Sequence, residues 1–262
     1  MTTTRSTETA PDGASPPPGG EPPGAFDTLW ENGPRLLPTG PAFPLSTDSV
    51  LLGDFAASVR GKALLDLGCG GGVLTVLLGV SHPGASLHAV ELLPEAAERC
   101  RENLRLNGLS DAGVITGDLR SYRSWWRAGS FDLAVSNPPY FPAGSGLSAP
   151  VPARAQAREE RSLTLDELCA AAGWLLRWGG AFALVHRPER LSELCCAMTA
   201  AGIEPKRLRL VQHRADAAPN LILMEGRRGG RPGLRLEPPL ILTGPDGGDS
   251  PEVRRIYHRK GA

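Results

Sequence analysis

The chain lacks any run of about 18 or more apolar residues, so a membrane-spanning helix is not expected. Its N-terminus has no apolar signal core. Thr, Ser, Pro and Gly stand there instead, and a cytoplasmic location is expected by default. The cysteines Cys69, Cys100, Cys169, Cys195 and Cys196 form no C-x-x-C pair and have no His at ligand spacing beside them. Reduced thiols are therefore expected rather than a disulfide framework, and no metal. Net charge is absent as well, with 28 basic against 28 acidic side chains. That balance hides an asymmetry. Residues 1–205 hold 16 basic and 22 acidic groups, and residues 206–262 hold 12 basic and 6 acidic. A basic C-terminal end suits a polyanion such as RNA, and equally suits a solvated Arg-rich surface.

What is present is ordinary for a globular protein: 262 residues, 41% hydrophobic and 21% charged, enough for one large α/β domain. Residues 1–25 are rich in Pro and Gly and cannot bury enough apolar area to offset chain entropy, so a disordered extension is expected. A single domain is expected over 26–262, with a cofactor-binding core at about 60–225 and a basic tail at 226–262. No internal repeat is evident, and a monomer is favoured without any feature that fixes the oligomeric state.

From Lys62 the pattern alternates strand and helix. Lys62–Leu67 reads as a strand, Val73–Val80 as a helix, Ser86–Leu92 as a strand and Pro94–Asn107 as an amphipathic helix with Pro at its first turn. Gly113–Thr116 and Phe131–Ser136 follow as strands. Leu165–Trp178 reads as a helix with Thr164 as N-cap and Gly179-Gly180 as its stop. Ala181–His186 is the next strand and Glu189–Ala201 the next helix. Arg207–Gln212 and Leu221–Glu225 are two strands with no helix between them, which implies an antiparallel hairpin at a sheet edge. A mostly parallel sheet with that ending resembles the class I methyltransferase fold. Phe141–Ser162 breaks the rhythm, and a loop of that length is expected to overhang a site.

Chemistry-bearing residues gather at the strand ends. The first strand runs into Asp66-Leu67-Gly68-Cys69-Gly70-Gly71-Gly72, where glycines allow backbone amides to approach a ligand. Glu91 ends the second strand, placed to accept ribose hydroxyls. Asp118 follows the third and suits an adenine amine. Leu92 and Leu119, their neighbours, and Asn137 after the fourth strand complete the cofactor set. Each carboxylate alone reads as a solvated loop residue. Four features in this order point to S-adenosylmethionine, with another nucleotide as the alternative.

The fourth strand delivers Asn137-Pro138-Pro139-Tyr140. This resembles the N/D-P-P-Y/F motif of methyltransferases that act on exocyclic base amines or glutamine amides. The lone pair of such a nitrogen is delocalised, so it is a weak nucleophile. Acceptors at its hydrogens, here the Asn137 side-chain oxygen and the Pro138 carbonyl, draw it toward tetrahedral geometry and stabilise developing positive charge. The prolines hold the backbone extended. Tyr140 offers a stacking face. The bland reading is a Pro-rich turn after a strand.

From about Pro34 to Arg259 the chain is similar to the bacterial tRNA(Val) adenine-37 N6-methyltransferase family. The matching stretches are Thr47–Leu52, Asp66–Gly72, Asn137–Tyr140, Ala157–Leu168 and Asn220–Leu240. The resemblance implies a mostly parallel seven-stranded sheet and S-adenosylmethionine as cofactor. It implies tRNA as substrate, with adenine-37 of the anticodon loop as target. It also implies a cofactor-covering helix that begins at Thr47, for which a simple N-cap is the plain reading. The family often has Ala-Arg-His-Glu where this chain has Ala157-Arg158-Glu159-Glu160, which leaves Arg158 as the substrate-side candidate there. The Pro-rich N-terminal extension is also not typical of the family. Arg227, Arg228 and Arg231, in a Gly-rich run, read as a flexible cluster that grips phosphates or as a solvated loop. A release-factor glutamine methyltransferase and a non-catalytic RNA-binding protein are the alternatives. The first is weakened because only about 60 residues precede the first strand, too few for the helical domain those enzymes usually carry.

Overall fold

The computed structural model describes residues 26–38, 46–138 and 163–258. The expected extension over 1–25, the segment Phe141–Ser162 and the candidates Pro139, Tyr140 and Arg158 lie outside the described residues.

A short antiparallel pair, β1 (Asp27–Thr28) and β2 (Arg35–Leu36), precedes helix α1 (Thr47–Ala57). The alternating core follows: β3 (Ala63–Leu67), α2 (Val73–Ser81), β4 (Ser86–Glu91), α3 (Pro94–Leu106), β5 (Gly113–Thr116), α4 (Tyr122–Trp125) and β6 (Phe131–Ser136). Then come α5 (Leu165–Leu175), β7 (Leu176–His186), α6 (Leu191–Ala200), β8 (Ile203–Gln212), β9 (Pro219–Arg228), β10 (Arg235–Ile241) and α7 (Pro251–Ile256). The main sheet has the order β10-β8-β9-β7-β6-β3-β4-β5. Only β9 runs against its neighbours, antiparallel to both β7 and β8.

Helix ends follow local chemistry. Pro94 opens α3, and Gly108 after it has φ +70°, the left-handed ending that a Cβ disfavours. Thr164 caps α5 in a reciprocal box with Glu167.

The strands separate two cores by alternation. Leu64, Leu133, Ala183 and Leu223 face one side, packed with α1, α2, α3 and α7. Leu65, Ala134, Leu184 and Met224 face the other, with α5 and α6. A parallel strand covered on both faces reads as a continuous apolar run, as β6 does: five of its six residues are buried.

Three expectations are corrected. The sheet has eight strands rather than seven; β10 is added beside β8 from residues read as a basic tail. Helix α5 stops at Leu175, not Trp178, and Gly179-Gly180 does not end it. Leu176 pairs with Phe131, both are buried, and the register then shifts before Ala181 pairs with Leu133. Pairing two large buried side chains outweighs another helical turn that would carry Trp178, which is 75% exposed. Arg227 and Arg228 are not part of a flexible cluster. They close β9, where Arg227 pairs with Ala181 on one side and Glu204 on the other.

Candidate active site

The carboxyl ends of β3, β4 and β6 are stitched into one shelf. The Gly68 and Cys69 amides donate to the Val90 carbonyl at 2.9 and 3.0 Å, and the Gly117 amide donates to the Glu91 carbonyl at 2.9 Å. The Ser136 hydroxyl donates to the Leu67 carbonyl at 2.7 Å. Asp66, Glu91, Asp118 and Asn137 therefore share one edge of the sheet.

Asp66 is 1% exposed. Its Oδ2 accepts from the Thr75 hydroxyl at 2.7 Å, while its Oδ1 has no partner. Burial raises its pKa to about 7, and the nearby Glu91 charge adds to the rise against the Thr75 bond. A buried carboxylate oxygen without a partner is costly and calls for a donor. Beside it, Gly68 (φ +81°) and Gly70 (φ +53°) face open space, with no atom within 4 Å of a side chain built there. Gly72 differs. A Cβ on it would lie 2.5 Å from the Cys100 sulfur, so this glycine lets α3 pack close under the turn. The neighbouring Cys100 thiol, with burial, pushes the Cys69 thiol well up.

Glu91 is half-buried. Its Oε2 accepts from the Gly70 amide and its Oε1 from the Leu93 amide, both at 2.9 Å, which leaves lone pairs on both oxygens. Asp118 accepts from the Arg120 amide at 2.9 Å and from its guanidinium at 3.0 Å. Arg120 also grips Glu167 at 2.7 Å. That guanidinium, with the Thr164 amide, holds the Glu167 carboxyl down at about 2. Leu92 is half-buried, and Leu119 is packed into the core on the α5 side. Asn137 follows Ser136 directly, and its Nδ2 donates to the Ser49 hydroxyl of α1 at 2.9 Å. Thr47, the first residue of α1, is exposed; the N-cap position belongs to Ser46, without a side-chain cap.

The arginine candidates are not brought to this shelf. Arg227 lies opposite Ala181, which lies opposite Leu133, four residues before Asn137. At roughly 3.3 Å per residue the separation along the sheet is about 13 Å, toward its amino edge. Arg227 pairs there with Glu225 at 2.9 Å. The Arg228 guanidinium donates to the Ala201 carbonyl after α6, and the exposed Arg231 lends its carbonyl to Lys206. A cleft of about 290 Å³ lined by Ser58, Lys206, Arg207, Glu225, Arg227 and Arg235 belongs to the same edge.

Ser49, Thr75 and Arg120 are site residues that sequence reasoning missed as functional. Ser49 stood within a matching stretch, but nothing in it signals a partner 88 residues away. His186 ends β7 with no exposure, two residues past Leu184, which pairs with Ser136. Burial lowers its pKa to about 4, with the Arg190 charge adding to the fall, and its Nδ1 accepts from the Arg187 amide.

No helix among the described residues is long and apolar enough to cross a membrane. No group of three or more His, Cys, Asp or Glu among them is placed to hold a metal.

A mostly parallel sheet with one reversed strand and a Gly-rich shelf of acidic strand ends define a class I methyltransferase that uses S-adenosylmethionine. Residues 46–194 match the methyltransferase small domain. The chain belongs to that family and, within it, to the group of tRNA1(Val) (adenine(37)-N6)-methyltransferases. The enzyme of that name from Porphyromonas gingivalis is 36% identical over 72% of this chain and 76% of its own. The one from Tolumonas auensis is 33% identical over 80% and 86%. Among solved structures, a predicted O-methyltransferase from Agrobacterium tumefaciens superposes with a TM-score of 0.66 at 21% identity, covering 81% of this chain and 96% of that one, which supports the fold.

Proposed function

We propose that this enzyme methylates the exocyclic N6 amine of adenine-37 in a tRNA anticodon loop, in the cytoplasm. The observation that carries the reading is the position of Asn137. It stands at the carboxyl end of β6, level with the cofactor turn, with its amide nitrogen held by α1. The relatives, named as tRNA adenine-37 methyltransferases, supply the substrate.

The residues on the shelf fit the cofactor. The unpaired Oδ1 of Asp66 and the open faces of Gly68 and Gly70 suit its cationic amino-acid end. Glu91 has lone pairs for the ribose hydroxyls, with Leu92 and Leu119 alongside, Thr47 begins the covering helix, and Asp118 takes the adenine amine. S-adenosylmethionine, when bound, supplies an electrophilic methyl group. The chain's own task is to prepare the nucleophile. Asn137 Oδ1 and the Pro138 carbonyl accept the two N–H groups of the target amine, Pro139 keeps the backbone extended, and Tyr140 stacks on the base. The excess proton leaves for water. An anticodon loop is single-stranded, so its adenine enters a pocket without the cost of opening a duplex. Arg158 is proposed on the substrate side. Any contact of Arg227, Arg228 and Arg231 is with the body of the tRNA.

The test is transfer of labelled methyl from S-adenosylmethionine to tRNA lacking the mark, followed by nucleoside mass spectrometry. N6-methyladenosine mapped to position 37 is the expected result. Label in a release factor and in no tRNA overturns the reading.

A further inference from the structure

We propose that Ser49 is a positioning residue that sets which end of the Asn137 amide faces the substrate; this rests on the reading of Asn137 as the acceptor for the target amine. The side-chain amide of asparagine is nearly symmetric in shape and opposite in chemistry at its two ends. Turned one way it offers an oxygen to the amine. Turned the other way it points its own N–H groups at the amine's N–H groups, and catalysis loses an acceptor. The backbone fixes where the amide stands, since the preceding Ser136 is bonded to Leu67. The backbone does not fix which end points where.

Ser49 supplies that choice. Its hydroxyl lies 2.9 Å from Asn137 Nδ2 and accepts from it. The residue is 8% exposed, so water offers little alternative partner. Its helix is held from behind. Arg255 of α7 makes a two-point contact with Asp54 at 2.9 and 2.9 Å. Helix α7 is in turn tied to β8, where Arg209 grips Glu252 at 2.8 and 2.6 Å. The serine oxygen is thus presented to Asn137 from a braced helix. With Nδ2 committed to α1, the carbonyl end of the amide points elsewhere.

An aspartate at position 137 has an acceptor at both ends, so there is no orientation to set, and the Ser49 hydroxyl donates to it instead. This separates positioning from mere packing. On tRNA lacking the mark, Ser49→Ala is expected to lower kcat by about tenfold, the scale of one hydrogen bond. Cofactor Kd by calorimetry and KM for tRNA stay within about twofold. In an Asn137→Asp background the same change costs no more than about twofold in kcat. Equal losses in both backgrounds, or no loss in the parent, overturn the proposal. If Ser49→Ala does not fold, Ser49→Cys, a weaker acceptor of similar size, is read in the same way. A second readout needs no turnover. In protein labelled with ¹⁵N-asparagine, the Asn137 side-chain NH₂ resonances should shift and exchange faster with solvent in the Ser49 variant, and unchanged resonances refute the inference. If the parent enzyme methylates no tRNA, the reading of function fails, and the resonance experiment still decides the role of Ser49.

Discussion

Two regions of the sheet carry charge in different ways. In the β8–β9 pair the charges face one another, although Arg207 Nε is buried without a partner. Glu225, 5% exposed, lies between Arg207 and Arg227 at 2.9 Å each, and Arg207 also donates to the Phe55 carbonyl at 2.6 Å and stacks on the Phe55 ring. At the carboxyl edge Asp66 keeps a buried oxygen with no partner, and Glu91 accepts only from backbone amides. The first arrangement holds strands together. The second stores a cost that a ligand relieves. The arginine-rich region is the structural one, so local charge density is a poor guide to the site; a buried, unpartnered acceptor beside an open glycine turn, as at Asp66, is a better one.

The largest expected test of this contrast is Asn137→Ala. Turnover should fall by about two orders of magnitude or more while cofactor binding, measured by calorimetry, persists. Loss of both together would mean that Asn137 belongs to the cofactor turn and not to the substrate side.

Asp66→Asn comes next, with cofactor affinity expected to fall by roughly thirtyfold. Its pH dependence sharpens the point. The folded pKa of about 7 lies above the ordinary carboxylate value, so the folded state holds its proton after the unfolded chain has lost it. The stability of the cofactor-free protein should therefore fall as pH rises from about 4 to 7, by on the order of 4 kcal/mol at most. Affinity for the cationic cofactor should rise over the upper part of that range. Asp66→Asn should flatten the stability profile, as read by thermal melts at several pH values.

In the β8–β9 cluster, Glu225→Gln should cost about 2 kcal/mol of stability, because two arginines lose their shared counter-charge. Urea midpoints measure it, and kcat of the folded fraction should not change. The smallest effect is expected for Arg231→Ala, exposed and outside the shelf: a change within about threefold in kcat/KM for tRNA at physiological salt. A tenfold loss there would show that the arginine-rich region takes part in holding RNA, and the contrast between the two regions would break.

Much of the fold was legible in order and type. The apolar runs Phe131–Ser136 and Ala181–His186 could be read as strands because a strand covered on both faces has no polar alternation. The positions of Asp66, Glu91 and Asn137 could be read because each lies at or just past the carboxyl end of its strand, which carries it to the same edge. The Leu176–Gly180 stretch could not, since its helix-like composition was overruled by pairing with β6. Nor could β10, whose two prolines suit an edge strand but equally suit a loop. The arginines of the Gly-rich run looked like ligands, but Arg227 pairs with Glu225 two residues before it on β9, and Arg228 meets the Ala201 carbonyl, which only the packing of α6 against the sheet brings near.

By itself, then, the sequence determined the alternation of elements, the glycine turn and the acidic and amide groups at strand ends, because these depend on neighbours within a few residues. Only the tertiary structure decided which polar groups meet. Ser49 reaches Asn137, Thr75 takes one oxygen of Asp66 and leaves the other, and Glu225 pairs with Arg207 across the strands. The physical reason is that hydrogen bonds and ion pairs act over about 3 Å, and sheet order and helix packing, not separation along the chain, decide which atoms come that close.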